Sequence, residues 1–141
     1  MKPVSFWVAG TPVTQGSVHA RVNSKTGGAY VVSVKQSGPL AAWRGAIATE
    51  ARSAFTELAT DPIAIELKFY LPRPVSRPKR ERFPDRKPDA DKLARAALDA
   101  LTGVAFRDDA QVVRLWVGKL YAEPTQQTGV QVTVGAVEVP A

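Results

Sequence analysis

Residues 63–71 read Ile63-Ala64-Ile65-Glu66-Leu67-Lys68-Phe69-Tyr70-Leu71. Ile63, Ile65, Leu67, Phe69 and Leu71 recur at every second position, with Glu66 and Lys68 between them. A period of two places the apolar set on one face of an extended chain, so this stretch predicts a strand with one face buried. On its N-terminal side, Leu40, Trp43, Ile47, Ala51, Ala54, Phe55 and Leu58 follow a helical period. They predict a helix over 39–58, with Pro39 suited to its first turn. Further upstream, 29–34 is β-branched and predicts a strand, as does 4–9, which is ended by Gly10-Thr11-Pro12. Between them, residues 14–28 are rich in Gly, Ser, Thr and Asn and read as a loop or a loose hairpin arm.

On its C-terminal side, residues 72–88 hold five of the eleven prolines, which excludes a regular helix or an inner strand and predicts an exposed loop. A second helix is expected over 89–101, with Pro88 before it and Gly103 just after it. Two last strands, 111–122 and 128–138, are joined by a turn at 124–129. The order β-β-α-β-α-β-β predicts an α/β (α+β) fold, a small mixed sheet with two main helices packed on it, in a single domain over 1–141.

The 141 residues are 45% hydrophobic and 23% charged, the composition of a globular protein. Nineteen Lys and Arg face thirteen Asp and Glu, a net charge of +6 that suits a polyanionic partner. With no Cys and one His, disulfide scaffolds, zinc fingers and thiol enzymes are disfavoured. His19 lies among Gly and Ser with no nucleophile signature beside it and reads as a loop histidine. No apolar stretch approaches the ~20 residues of a membrane span, and Pro3 and Pro12 interrupt any signal-peptide core. A soluble, cytoplasmic protein is expected.

The charge is concentrated. Arg73, Arg77, Lys79, Arg80, Arg82, Arg86 and Lys87 stand against Glu81 and Asp85, so the loop alone carries seven cations to two anions, net +5. One reading is a solvated loop. The other is an extended arm that tracks phosphates, because the guanidinium fork matches phosphate oxygens. Phe83 offers a face for stacking on an exposed base. Immediately afterwards the sign reverses. Asp89-Ala90-Asp91 opens the second helix and Asp108-Asp109 precedes the next strand.

Each acidic pair has a structural reading, Asp89 as an N-cap, Asp91 at the positive end of the helix dipole, and Asp108-Asp109 in a turn. Beside DNA, however, carboxylates repel phosphate unless a cation lies between them. Mg²⁺ takes hard oxygen ligands and completes its shell with water and phosphate, so the pattern reads as a magnesium nuclease with no small-molecule cofactor. Asp91, Arg95 and Asp99 share a helix face at i, i+4 spacing. That face is either a salt-bridged solvent face or one that sets Arg95 where its charge meets the reacting phosphate. Lys92 and Lys119 are further cations nearby, and Lys119 is in phase with Val113, Leu115 and Val117.

Three segments carry a family resemblance. They are Lys87-Pro88-Asp89-Ala90-Asp91-Lys92-Leu93, Ala97-Leu98-Asp99-Ala100-Leu101-Thr102-Gly103 and Phe106-Arg107-Asp108-Asp109-Ala110-Gln111-Val112. Together they resemble the RusA family of Holliday junction resolvases, closely over 85–122. The opening Val8-Ala9-Gly10-Thr11-Pro12-Val13-Thr14-Gln15-Gly16-Ser17 is more weakly similar. The resemblance implies a homodimeric, Mg²⁺-dependent endonuclease that nicks opposed strands of a four-way DNA junction in recombination and repair. Such enzymes are common on phages and prophages.

It also implies that Asp89, Asp91 and Asp109 are the metal-binding carboxylates. The 73–87 loop and the 14–17 segment, Gln15 included, would be DNA contacts. The chain departs from the family pattern at Lys92, where Asn is usual, and at Arg95, where a catalytic Lys is expected. It departs again at Gln15 and Ser17, where Lys and Arg are usual. Arg replaces a lysine that supplies charge but not one that shuttles a proton. A catalytically weak or inactive branched-DNA-binding protein is therefore the alternative, with a phosphotransfer enzyme acting on small nucleotides a more distant one. The apolar face of the 39–58 helix is a candidate dimer contact.

Overall fold

A computed structural model describes residues 1–16, 19–22, 29–32 and 38–137. Ser17 and positions 33–34 of the expected second strand lie outside them. The elements are β1 (Val4–Ala9), β2 (His19–Val22), β3 (Ala29–Val32), α1 (Pro39–Ala54), β4 (Ile63–Leu71), α2 (Ala90–Leu101), β5 (Val112–Tyr121) and β6 (Gly129–Ala136), with a single 3₁₀ turn at Asp109–Gln111 before β5. β2 and β3 pair as an antiparallel ribbon, so the loose hairpin reading of 14–28 gains a strand. The other four strands form one mixed sheet in the order β1-β6-β4-β5, as the α+β expectation requires.

β4 is the inner strand that its alternation predicts. Ile63, Ile65, Leu67, Phe69 and Leu71 are all buried, and the residues between them are only half-buried. Burying each such side chain contributes about 1.5–3 kcal/mol. Val130, Val132 and Val134 of β6 extend the same face. Leu40, Trp43, Ile47 and Ala51 of α1 and Leu93, Ala96, Ala97 and Leu101 of α2 close it from above in one continuous core. The opposite sheet face stays open and carries the edge-to-face pair Trp7–Tyr70.

α1 starts as its sequence dictates, with Gly38 at φ 67° and Pro39 in the first turn. It ends earlier than predicted. Phe55 is already extended (φ −112°, ψ 127°), and Leu58, in helical phase on paper, is exposed. Phe55 instead packs edge-to-face on Phe6 of β1, a tertiary contact that the helical period could not reveal. The apolar face of α1 is consumed by the protein's own core, which corrects its assignment as a dimer contact.

β4 pairs parallel to β5, from Ile63 opposite Val112 to Leu71 opposite Tyr121. A parallel pair needs a crossover, and residues 72–111 supply it. The chain leaves at the Leu71–Tyr121 end, and α2 returns it to the Val112 end. α2 therefore runs against β5, so the residues just before β5 meet the later turns of α2. Gly103, at φ 83°, makes the reversal after the helix.

Candidate functional site

α2 begins at Ala90, with Asp89 in the N-cap position. The Asp89 side chain does not cap the helix. It faces Lys92 at 3.4 Å, while its main-chain carbonyl accepts from the Leu93 N–H at 3.0 Å. Asp91 is exposed in the first turn, Arg95 is exposed one turn later, and Asp99 is half-buried one turn beyond. All three line a cavity of about 450 Å³ between α2 and β5, walled by Leu98, Leu115 and Val117, and Asp109 closes it from the β5 side. The parallel register explains the wall, because Leu115 and Val117 lie opposite Ile65 and Leu67 and so share their face. Asp91 and Asp109 are thus brought to one cavity, and Asp89 is not among its lining residues.

Asp99 is the residue that sequence reading did not single out as part of the site. Its spacing from Asp91 and Arg95 was a signal, since i, i+4, i+8 shares one face. Its partner had none. Gln15, 84 positions away, donates from Nε2 to Asp99 Oδ2. Its backbone N–H also donates to the Lys92 carbonyl at 3.1 Å. Gln15 is only 7% exposed, so the side chain expected to contact DNA is instead turned inward onto α2. The other side-chain atom of that amide, Oε1, is buried with no partner among the described residues.

Asp109 sits in the 3₁₀ turn. A hydrogen bond with the Asp108 carboxyl raises its pKa above the ordinary value, helped by burial and by the charges of Asp108 and Asp99. Acids brought close together behave in this way.

The turn itself is held by side chains. Asp108 Oδ1 accepts from the Ala110 N–H at 3.0 Å, and Gln111 Oε1 accepts from the Arg107 and Asp108 N–H groups at 2.9 and 2.8 Å. Gln111 Nε2 then donates to the Ala59 and Asp61 carbonyls at 2.9 and 3.1 Å. One amide makes four hydrogen bonds and ties Asp109 to the segment before β4. Replacing it with Leu is expected to lower unfolding free energy by about 2–4 kcal/mol, measured by urea titration.

The cationic loop is folded rather than extended, which corrects the arm reading. Arg73 Nη1 donates to the Pro78 and Glu81 carbonyls at 3.1 and 2.7 Å, and its guanidinium lies 4.4 Å from the Tyr121 ring centre. Arg77, its side chain only 10% exposed, pairs with Glu81 and, at 2.9 Å, with Asp85. These two arginines hold the loop together. Lys79, Arg80, Arg82, Arg86 and Lys87 remain exposed, as does the Phe83 ring. Lys119 ties the end of the loop to the sheet, with Nζ donating to the Arg86 and Pro88 carbonyls at 2.8 and 2.9 Å. Its role in β5 is thus to anchor the segment that leads into Asp89.

The chain matches the family described as endodeoxyribonuclease RusA over residues 10–134. It belongs to the RusA family. The match spans most of the chain, from the segment carrying Gln15 through both acidic clusters to β6. An uncharacterised Bacillus subtilis (strain 168) protein, YqaN, is similar to it at 30% identity over 133 residues, covering 87% of this chain and 91% of YqaN. Membership of a RusA endodeoxyribonuclease family agrees with a cavity lined by Asp91, Asp99 and Asp109 and a cationic loop that leads into α2. No helix among the described residues is long and apolar enough to cross a membrane.

Proposed function

We propose that this protein is a Mg²⁺-dependent endodeoxyribonuclease that resolves four-way DNA junctions by paired nicks. The observation that carries this reading is the cavity lined by Asp91, Asp99 and Asp109 between α2 and β5, on a helix that follows directly from a folded loop with five exposed cations. Cations on the loop hold the DNA backbone by a sequence-independent electrostatic term. Carboxylates beside them repel that backbone unless a divalent ion intervenes.

The donor set fits Mg²⁺. Asp91, Asp99 and Asp109 are hard oxygen ligands, and Mg²⁺ is usually bound by one or two carboxylates, with water and phosphate in its other positions. Among the described residues, no group of three or more His, Cys, Asp or Glu side chains is gathered that could hold a metal by itself. When bound, Mg²⁺ supplies charge to the scissile phosphate and lowers the pKa of an attacking water. Asp91 and Asp109 would hold it, and Asp89 stands one residue before the cavity, oriented by Lys92. Arg95 lines the cavity, and a guanidinium there contributes positive charge toward the phosphate rather than proton transfer.

Two nicks on opposed strands call for two equivalent sites, which a two-fold dimer supplies. Among the described residues β5 is an edge strand paired with β4 alone, and its Val113, Leu115 and Trp116 are exposed large apolar residues. That edge supports the homodimer, now that the α1 face is accounted for by the core.

The second reading, a branched-DNA-binding protein without catalysis, is favoured by one observation, Arg95 in place of a lysine. Incubating the protein with a labelled four-way junction and a matching linear duplex, in Mg²⁺ or EDTA, separates the two. Cleavage confined to the junction and abolished by EDTA is expected. Tight junction binding with no cleavage in Mg²⁺ would establish the second reading.

A further inference from the structure

We infer that the folded loop and the end of β5 form a second cavity that takes an unpaired nucleotide of branched DNA, its base stacked on Phe83 and its phosphate held by Lys79 and Arg82. The inference rests on the junction reading above and deepens it, because it names the part of the DNA that this loop selects. The cavity has a volume of about 980 Å³ and lies between the loop and residues 120–124. Among the described residues, four cations line it, Arg73, Arg77, Lys79 and Arg82, against one acid, Glu123. Arg73 and Arg77 are engaged within the loop. Lys79 and Arg82, both exposed, are left to meet an anion.

Phe83 is the second, independent observation. Its ring lines the same cavity and is 66% exposed, and Val75, also in the lining, is fully exposed. The backbone beneath the ring is held in place. Pro84 keeps Phe83 out of the helical region and is itself buried, and the Asp85 N–H donates to the Phe83 carbonyl at 3.0 Å. An aromatic face beside cations is the combination that binds unpaired nucleotides, the ring stacking on a base while the cations track the phosphate. A duplex offers its phosphates to such cations but keeps its base faces stacked on one another. Phe83 therefore gains a partner only where a base is free, and in a junction that place is the crossover, where stacking is interrupted. Lys119, just before the β5 residues of this cavity, donates to the Pro88 carbonyl at 2.9 Å. The cavity thus lies on the side of the fold where the chain enters α2 and reaches Asp91.

The test is an anisotropy titration of the full chain, as wild type, Phe83→Ala and Phe83→Trp, against labelled oligothymidylate, a four-way junction and a linear duplex. Phe83→Ala is expected to weaken binding to oligothymidylate and to the junction by ~5–100-fold, the scale of one lost base–aromatic stack. Duplex affinity and its salt slope should stay as in wild type, because the cations are untouched. Phe83→Trp keeps a stacking face and should bind all three DNAs at least as tightly as wild type. The ring is exposed, so neither substitution removes core packing. If Phe83→Ala binds every DNA as wild type does, or loses affinity for the duplex equally, this inference fails while the junction reading stands on its cleavage assay. A wild type that does not bind oligothymidylate would also overturn it. If wild type cuts no junction in Mg²⁺ but Phe83→Ala still loses oligothymidylate selectively, the nuclease reading fails and the nucleotide cavity stands.

Discussion

Asp91→Asn is expected to lower Mg²⁺-dependent junction cleavage by about a thousand-fold or more, while junction affinity stays equal to wild type or rises. The effect is electrostatic. Asp91 is exposed at the mouth of the cavity, carries no core packing, and is isosteric with Asn. Removing its charge removes a hard ligand and also removes repulsion toward the phosphate backbone. Cleavage and binding should therefore move in opposite directions. A fold defect would lower both together. Single-turnover cleavage and a gel-shift titration on the same junction check this, and a mutant that still cuts at the wild-type rate would remove Asp91 from the site.

Replacing Lys79, Arg80 and Arg82 together with Ala is expected to weaken binding to junction and duplex alike, by ~10²–10³-fold at 0.1 M salt. The salt slope of log K should fall by roughly 3, about one per lost phosphate contact. The loop should stay folded, because Arg73 and Arg77 hold it through Pro78, Glu81 and Asp85. Affinity measured against salt concentration reads both numbers. An unchanged slope would show that the exposed cations do not meet DNA.

The contrast within this loop shows how far the sequence could be read. Seven cations in fifteen positions announced a polyanion partner, but no local pattern distinguished the arginines that satisfy loop carbonyls from those left to solvent. That division depends on where Pro78, Glu81 and Tyr121 come to lie. β4 and α2 were legible because a strand or helix with one buried face writes its period into consecutive residues. α1 was misjudged at its end for the same reason: Leu58 keeps the helical phase, while Phe55 leaves it to meet Phe6.

The acidic clusters were legible as a pair. Their meeting depended on a parallel β4–β5 pairing that composition does not encode. That pairing also decided which turn of α2 faces Asp109, and so brought in Asp99. Gln15 lay beyond reach altogether. Its place in the opening segment suggested contact with DNA, whereas its side chain is buried on a partner 84 residues away. Gln111 belongs to the 106–112 motif for a physical reason that only the structure supplies, four hydrogen bonds that fix the turn presenting Asp109.

The central claim is that this acidic cavity, present twice in a dimer, cuts opposed strands of a four-way junction. Mapping the nicks at nucleotide resolution, with each of the four strands labelled in turn, tests it most directly. The account predicts one nick on each of two opposed strands, at positions related by the two-fold symmetry of the junction and absent in EDTA. Nicks on a single strand, a ladder from the ends, or equal cutting of linear duplex would contradict it.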